Sequence, residues 1–129
     1  MLQKLSPVLF VDAIAPALPF FVDRLGFALT VSVPLREGSP ELGFVILQRD
    51  GVEIMLQTRA SVRGDVPALA DEPNRAMLYV EVADLAPIVA AVVGCEVVVP
   101  RRRTFYGADE LGVRAPGGHV LLFAQHVTA

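Results

Sequence analysis

The chain has few of the residues that most often carry chemistry. Among its 129 residues there is no tryptophan, one cysteine (Cys95) and two histidines (His119 and His126). A single cysteine cannot form a disulfide within the chain, so we expect a reducing compartment, the cytoplasm. His119 follows two glycines and is expected to be a turn residue rather than a metal ligand. The sequence also lacks a nucleophile elbow, a phosphate loop and a Cys–His arrangement.

Long apolar runs and a strong positive charge are absent as well. Asp12 and several prolines interrupt the apolar segment 5–22, and no stretch of about 18 uncharged apolar residues occurs, so we expect neither a signal peptide nor a membrane span. The net charge of −3 disfavours nucleic acid as a partner, because phosphate binding needs a basic face. The run Arg101-Arg102-Arg103 is expected to be a solvated strand end.

What the chain does contain is an internal repeat. Residues 41–57 (ELGFVILQRDGVEIMLQ) and 110–125 (ELGVRAPGGHVLLFAQ) both begin Glu-Leu-Gly, turn at glycine and close with an apolar strand. These two segments start 69 residues apart, and Val11 and Val82, which each end an earlier apolar strand, lie 71 residues apart. A nearly constant offset over half the chain indicates two copies of one supersecondary unit.

Each copy is predicted to be a β-α-β-β-β unit. The first copy spans about residues 5–58, the second about 76–125, and the polar, proline-containing segment 59–75 is predicted to link them. The predicted elements are strand 5–11, a helix with the apolar stripe Ile14, Leu18, Phe21 and Leu25 that ends at Gly26, strands 27–33, 41–48 and 51–58, then strand 76–82, helix 84–93, strand 95–100, loop 101–108 and strands 109–115 and 118–125. One such unit cannot cover its own sheet face, so two units or two chains must pair.

The repeat and three short motifs resemble the vicinal oxygen chelate superfamily, which includes glyoxalase I, extradiol dioxygenases and bleomycin-resistance proteins. The motifs are Val11 followed by Phe20-Phe21 and Leu25-Gly26-Phe27, then Phe105-Tyr106-Gly107, and finally Gly112 to His119, with Ala115 where the superfamily usually has aspartate. The resemblance covers nearly the whole chain. It implies a single α+β domain in which two β-α-β-β-β units pair into one curved mixed sheet around a cavity. It says little about function, because this fold hosts many chemistries.

In the enzymes of this superfamily, a divalent metal is held by side chains from the first and last strand of each unit. The resemblance places those four positions at Ser6, Met55, Met77 and Leu122. A serine hydroxyl, two thioethers and a leucine cannot replace the imidazole and carboxylate ligands that a catalytic metal needs. We therefore expect no metal site, no cofactor and no catalytic residues of the usual kind.

Without a metal, the face that carries these positions is expected to bind an organic molecule. A lining rich in thioethers and aromatic rings suits a ligand held by shape and ring contacts, with a few polar groups for orientation. The predicted ligand-binding residues are Phe44, Met55, Met77, Tyr79, Phe105, Tyr106, Glu110 and Leu122. In this interpretation Glu110 orients a cationic group. The plainer alternatives are that the methionines and Phe44 fill a core, and that Glu110, like Glu41, only begins a solvated strand.

Three functions are compatible with these residues. The favoured one is metal-free binding or sequestration of a small aromatic or antibiotic-like molecule, as in bleomycin-resistance proteins, which disfavours an enzyme. The alternatives are a lyase or dioxygenase of the same superfamily with an atypical or absent metal site, and a structural or regulatory dimer with a filled core. A homodimer is expected because the units leave sheet faces and edges that a second chain can cover.

Overall fold

The structure is a computed structural model, and it describes residues 1–127. The chain divides into two compact units, Met1–Asn74 and Arg75–Ala129. Each unit holds one copy of the sequence repeat and one four-stranded mixed sheet. The predicted α+β class, built from two β-α-β-β-β units, is confirmed.

Unit 1 contains four strands and several short helical segments. They are β1 (Val8–Val11), a 3-10 turn (Ala15–Ala17), a π-helical segment (Pro19–Arg24), β2 (Ala28–Pro34), β3 (Leu42–Arg49), β4 (Val52–Thr58), α1 (Arg59–Asp65) and a second 3-10 turn (Pro67–Leu69). The strand order is β1-β4-β3-β2, with β1 parallel to β4 and the other pairs antiparallel.

Unit 2 repeats this arrangement in fewer residues. Its elements are β5 (Met77–Glu81), α2 (Ala86–Ala91), β6 (Glu96–Arg103), β7 (Ala108–Arg114) and β8 (Val120–His126). The order β5-β8-β7-β6 again pairs the first and last strands in parallel. The 69- to 71-residue repeat of the sequence is therefore a repeat of strand topology.

The first helix has the irregular start that Pro19 predicts and ends, as expected, at Gly26. The 3-10 turn Ala15–Ala17 contains Pro16, and the π-helical segment begins at Pro19. Proline has no N–H to donate and its ring crowds the preceding turn, so two prolines three residues apart prevent regular α-helical pairing. The predicted end is confirmed, because Gly26 takes a φ of +74°, which glycine adopts without steric cost.

The segment 59–75, predicted only as a linker, carries structure of its own. The Thr58 hydroxyl caps α1 by accepting from the Ser61 amide at 3.1 Å. The Arg59 guanidinium donates to the carbonyl oxygens of Ala70 and Glu72 at 2.8 and 2.9 Å, which holds the chain after α1 in place. No helix among residues 1–127 is long and apolar enough to cross a membrane.

The predicted loop 101–108 is also shorter than expected. Strand β6 continues to Arg103, because Arg101 and Arg102 pair with Asp109 and Glu110 on the neighbouring strand β7. Opposite charges across an antiparallel pair stabilise the ladder. The three arginines therefore belong to the sheet, and only residues 104–107 form the turn.

The sheet of unit 1 buries one face and leaves the other partly accessible, whereas in unit 2 the central strands β7 and β8 are largely buried on both faces. On β3, Val45 and Leu47 are fully buried, whereas Phe44 and Ile46, which point to the other face, are partly exposed. Burying each such aliphatic side chain contributes roughly 1.5–3 kcal/mol. The buried aromatic and aliphatic residues of unit 1 include Phe20, Phe21, Leu25, Val45, Leu47 and Leu56, and those of unit 2 include Leu85, Leu111, Val113, Leu121 and Phe123. Of the predicted ligand-binding residues, Glu110 and Leu122 are buried, and the other six are partly or fully exposed.

Candidate functional site

Of the four positions expected to hold a metal in related enzymes, Met55, Met77 and Leu122 lie on strands, and Ser6 precedes β1. In unit 1 Met55 lies opposite Val8, and in unit 2 Leu122 lies opposite Tyr79. The described residues 1–127 include no group of three or more His, Cys, Asp and Glu side chains placed to hold a metal ion. The four positions themselves hold a serine, two methionines and a leucine.

The predicted ligand-binding residues are divided between the units. Phe44 and Met55 belong to unit 1, while Met77, Tyr79, Phe105, Tyr106, Glu110 and Leu122 belong to unit 2. In unit 1, Phe44 lies opposite Gln57, and Met55 lies between Val8 and Ile46 on the neighbouring strands. Phe44 and Met55 are both partly exposed, so neither is sealed in a core within the chain.

At one end of the partly exposed sheet face of unit 1, the carboxylate of Glu53 contacts three donor side chains. Glu53 accepts from the Ser6 hydroxyl at 2.6 Å and from the Gln48 amide at 2.7 Å, and its Oε2 atom lies 2.8 Å from Lys4 Nζ. The Lys4 and Ser6 contacts lower the pKa of Glu53 from 4.5 to about 2, against a smaller opposing effect of desolvation. The sequence placed Glu53 on this face but gave it no role. Ser6 is thereby engaged as a donor to a neighbouring side chain.

In unit 2, the side chain of Glu110 is fully buried. The Arg102 guanidinium lies 2.9 Å from its Oε1 atom, and the Tyr106 hydroxyl donates to its Oε2 atom at 2.6 Å. These contacts, Tyr106 first, lower the pKa of Glu110 although desolvation opposes them. A solvated strand start describes Glu41, which is exposed, but is wrong for Glu110. Both oxygens of Glu110 are engaged inside the unit, so the carboxylate is not presented to a ligand.

Tyr79 lies between the buried Glu110 carboxylate and the exposed His126. Its hydroxyl lies 2.8 Å from His126 Nε2. Desolvation, followed by the influence of Tyr106, Glu110 and Glu81, raises the pKa of Tyr79. A phenol with a raised pKa remains protonated at neutral pH and is a hydrogen-bonding group rather than an anion.

Four rings of unit 2 form one accessible surface, which we call the aromatic patch: Tyr79, Phe105, Tyr106 and His126. Phe105 is fully exposed and meets Tyr106 edge to face at 5.1 Å between centroids. The His126 ring lies 6.2 Å from Tyr106 at 33° and 6.1 Å from Tyr79 at 73°. Between them the rings leave both edges and faces open to solvent.

His126 lies in this patch although it was not among the predicted ligand-binding residues. Strand β8 extends to His126 and brings its ring beside Tyr79. Strand alternation puts His126 on the same face as Leu122 and Ala124, two and four residues earlier. The alternation was readable from the sequence once the strand was extended by one residue beyond 125.

Two further predicted residues differ in exposure. Leu122 is buried beneath the patch, opposite Tyr79 and Gly112, whereas Met77 is half exposed at the start of β5. A Cβ at Gly112 would lie 2.9 Å from the Val99 side chain and 3.3 Å from Leu122, so the floor of this face is closely packed. Leu122 thus supports the surface, and Met77 can take part in it.

The turn that carries Phe105 and Tyr106 is fixed by its own backbone. Thr104 and Ala108 exchange hydrogen bonds, with the Thr104 amide donating to the Ala108 carbonyl at 2.8 Å and the Ala108 amide to the Thr104 hydroxyl at 3.0 Å. Gly107 takes a φ of +85° to close the turn. The exposure of Phe105 is consequently a property of an ordered turn.

The Glu53 contacts give a pH-dependent stability. A carboxyl whose pKa is lower in the folded than in the unfolded chain adds stability above the unfolded value, and this stability is lost as pH falls towards the folded value. We expect Glu53→Gln to destabilise the protein most above about pH 5, with the difference from wild type shrinking between pH 4.5 and about 2. Urea denaturation across this range measures it. Glu37→Gln, in the exposed turn before β3, controls for the loss of a charge, and a Glu53→Gln effect independent of pH would contradict the assignment.

Comparisons with known proteins identify the fold. No family model matches the sequence, and no curated protein matches it either. Solved structures do match: a glyoxalase/bleomycin resistance protein/dioxygenase from Nocardioides aligns with a TM-score of 0.73 at 21% identity, over 100% of this chain and 87% of that one. TioX from Micromonospora sp. ML1 aligns with a TM-score of 0.70 at 20% identity, over 97% of this chain and 99% of that one. A glyoxalase-related enzyme from Fulvimarina pelagi aligns with a TM-score of 0.73 at 19% identity, over 97% of this chain and 89% of that one.

These likenesses extend over nearly the whole of each chain, so the two repeats together carry the similarity. The resemblance to the vicinal oxygen chelate superfamily is confirmed at the level of the fold. The chain has the glyoxalase/bleomycin resistance/dioxygenase fold. At this level of identity the function has to be argued from the site itself.

Proposed function

We propose that the protein binds a small, planar aromatic molecule without changing it, in the manner of a bleomycin-resistance protein. The observation that carries this proposal is the aromatic patch, in which Tyr79, Phe105, Tyr106 and His126 stay accessible on an ordered surface of unit 2. Exposed rings that are held in place lose little conformational freedom when a ligand stacks on them.

The predicted residues have distinct parts in this proposal. Tyr79, Phe105 and Tyr106 supply ring contacts, and Met77 adds a polarizable side chain that adapts to a ring. Glu110 acts indirectly, since it holds the Tyr106 hydroxyl and through it the orientation of that ring. Phe44 and Met55 offer a second, partly exposed apolar surface on unit 1.

The lyase or dioxygenase alternative receives less support from the residues. Ser6 donates to Glu53, and Met55, Met77 and Leu122 carry no imidazole or carboxylate. An enzyme of this fold would have to use groups other than the usual four. The filled-core alternative is supported by Leu122, which is buried, but not by Met55 and Met77, which are partly exposed and half exposed.

Removing one ring tests the proposed site with little risk to folding. Phe105 is fully exposed, so Phe105→Ala should leave the melting temperature unchanged. It should weaken an aromatic ligand by about 0.5–1.5 kcal/mol, the energy of an aromatic pair. A thermal-shift screen of aromatic and antibiotic-like compounds supplies the ligand, and calorimetry measures its affinity for each variant.

The matched control for that experiment is Leu69→Ala, which removes an exposed apolar side chain from the 3-10 turn Pro67–Leu69 of unit 1. Binding should survive this change. If no compound stabilises the wild type, the filled-core alternative becomes the better account. If Phe105→Ala binds as tightly as wild type, the ligand lies elsewhere.

We further propose a homodimer, because the outer strand of each sheet is apolar and uncovered. All seven residues of β2 are exposed, among them Leu29, Val31 and Val33, and β6 exposes Val97 and Val98. An uncovered strand edge with apolar side chains invites pairing with another chain. Sedimentation velocity at micromolar concentration should show a species of twice the chain mass of 13.8 kDa. A single species of monomer mass would contradict the proposal.

The proposed location is the cytoplasm. Cys95 is the only cysteine of the chain and is partly exposed, so the fold gains nothing from an oxidising compartment. A protein that sequesters a small molecule in the cytoplasm needs no further partner.

A further inference from the structure

Two carboxylates lie near the tyrosine rings of the aromatic patch, Glu110 and Glu81. Glu110 is neutralised by Arg102 at 2.9 Å and is buried, so neither charge of that pair is free to meet a ligand. Glu81, at the end of β5, has a side chain that is 71% exposed. Its only ion-pair contact among residues 1–127 is a long one, 3.7 Å from its Oε1 atom to His126 Nε2. Among residues 1–127, the Glu81 carboxylate beside the rings therefore has no lysine or arginine within ion-pair distance.

The position of Glu81 places it on the same face as the patch. Glu81 and Tyr79 are two residues apart on β5, and side chains with that spacing point to the same side of a strand. The approach of Glu81 to His126, whose ring lies beside both tyrosines, confirms that the carboxylate borders the patch.

We propose that Glu81 selects a cationic aromatic ligand, with the ligand's ring on Tyr79 and Tyr106 and its ammonium group against the Glu81 carboxylate. This inference rests on the aromatic site proposed above and names its substrate class. It assigns the charge preference to Glu81 instead of Glu110, the carboxylate expected from the sequence. Glu110 keeps a positioning role through the Tyr106 hydroxyl.

The physical basis is the combination of an exposed carboxylate with the faces of electron-rich rings. The ligand's ring gains from contact with the tyrosine rings, whether or not the ligand is charged, and an ammonium group next to a solvent-exposed carboxylate gains a modest ion-pair energy. Because Glu81 is exposed, the ion-pair contribution corresponds to about a two- to fivefold preference for a cationic over a neutral ligand of the same shape.

Two probes of matched shape test the proposal: 1-naphthylmethylamine, which is a cation at pH 7.5, and the neutral 1-naphthalenemethanol. Calorimetry at low salt measures the dissociation constants of both for the wild type, Glu81→Gln, Glu110→Gln and Glu96→Gln. Glu96 lies at the opposite end of the unit 2 sheet, opposite Arg114, and its substitution removes the same charge far from the rings.

We expect the wild type and Glu96→Gln to bind the amine about two- to fivefold more tightly than the alcohol. Glu81→Gln should bind both probes alike, at the affinity of the alcohol. Glu110→Gln should weaken both probes, because it releases Tyr106, and should keep the preference for the amine. Glu81→Gln should also retain the wild-type melting temperature, since its side chain is exposed.

The contradictory outcomes separate the two proposals. If both probes bind the wild type equally, or if Glu81→Gln retains the preference for the amine, selection by Glu81 is overturned while the aromatic site stands. If the preference disappears in Glu110→Gln and not in Glu81→Gln, the charge preference belongs to Glu110. If neither probe binds at millimolar concentration, the aromatic site itself is rejected, and the selection by Glu81 with it.

Discussion

The accessible face of unit 2 depends on one buried ion pair with a phenol attached. Glu110 can be fully buried only because Arg102 and Tyr106 both satisfy it, and a buried carboxylate that lost either partner would be strongly unfavourable. The same contacts fix the Tyr106 ring and keep β6 paired with β7 as far as Arg103. A polar interaction inside the sheet thus determines which rings are presented outside it.

The repeat of the β-α-β-β-β unit explains why each sheet has a second face that its own helical segments do not cover. Each β-α-β-β-β unit places its helical segments and its large aliphatic residues on one side of a four-stranded sheet. The other side is partly exposed at Phe44 and Met55 in unit 1 and at Met77 and Tyr79 in unit 2, whereas Leu122 is buried. Enzymes of this fold use those positions for metal ligands, whereas this chain has Ser6 bound to Glu53 in one unit and Leu122 beneath aromatic rings in the other. The same face of the fold therefore carries hydroxyl, aliphatic and aromatic side chains in this protein instead of metal ligands.

Most of the fold could be predicted from the sequence, because strand alternation and turn glycines are local signals. The hairpin about Asp50-Gly51 and the helix end at Gly26 are examples, since both need a positive φ. The irregular start of the first helix could be predicted from Pro19, whereas its π-helical pairing from Pro19 to Arg24 could not be read from the apolar stripe. The structured segment 59–75 was missed because its main support is Arg59, which reaches carbonyl groups more than ten residues away.

The site could be predicted only in part. Tyr79, Tyr106 and Glu110 are brought together as expected, because they share a face or the turn that leads onto it. The pairing of Glu110 with Arg102 could not be predicted from the sequence. It requires β6 to extend beyond its apolar residues as far as Arg102. His126 lies beside the rings because it contacts Tyr79, and Glu81 lies there because it approaches His126. Partner choice among charged side chains is a property of the folded register, and the sequence alone left it open.

A double-mutant cycle on Glu110 and Tyr106 tests this account most directly. The free energy of unfolding is measured by urea denaturation for the wild type, Glu110→Gln, Tyr106→Phe and the double variant, with the ring retained throughout. If the buried carboxylate and the phenol hold each other, the two changes are coupled by about 1–3 kcal/mol, as expected for a hydrogen bond to a charged group. Effects that add to within about 0.5 kcal/mol would show that the two groups act independently and that Glu110 does not hold the aromatic patch.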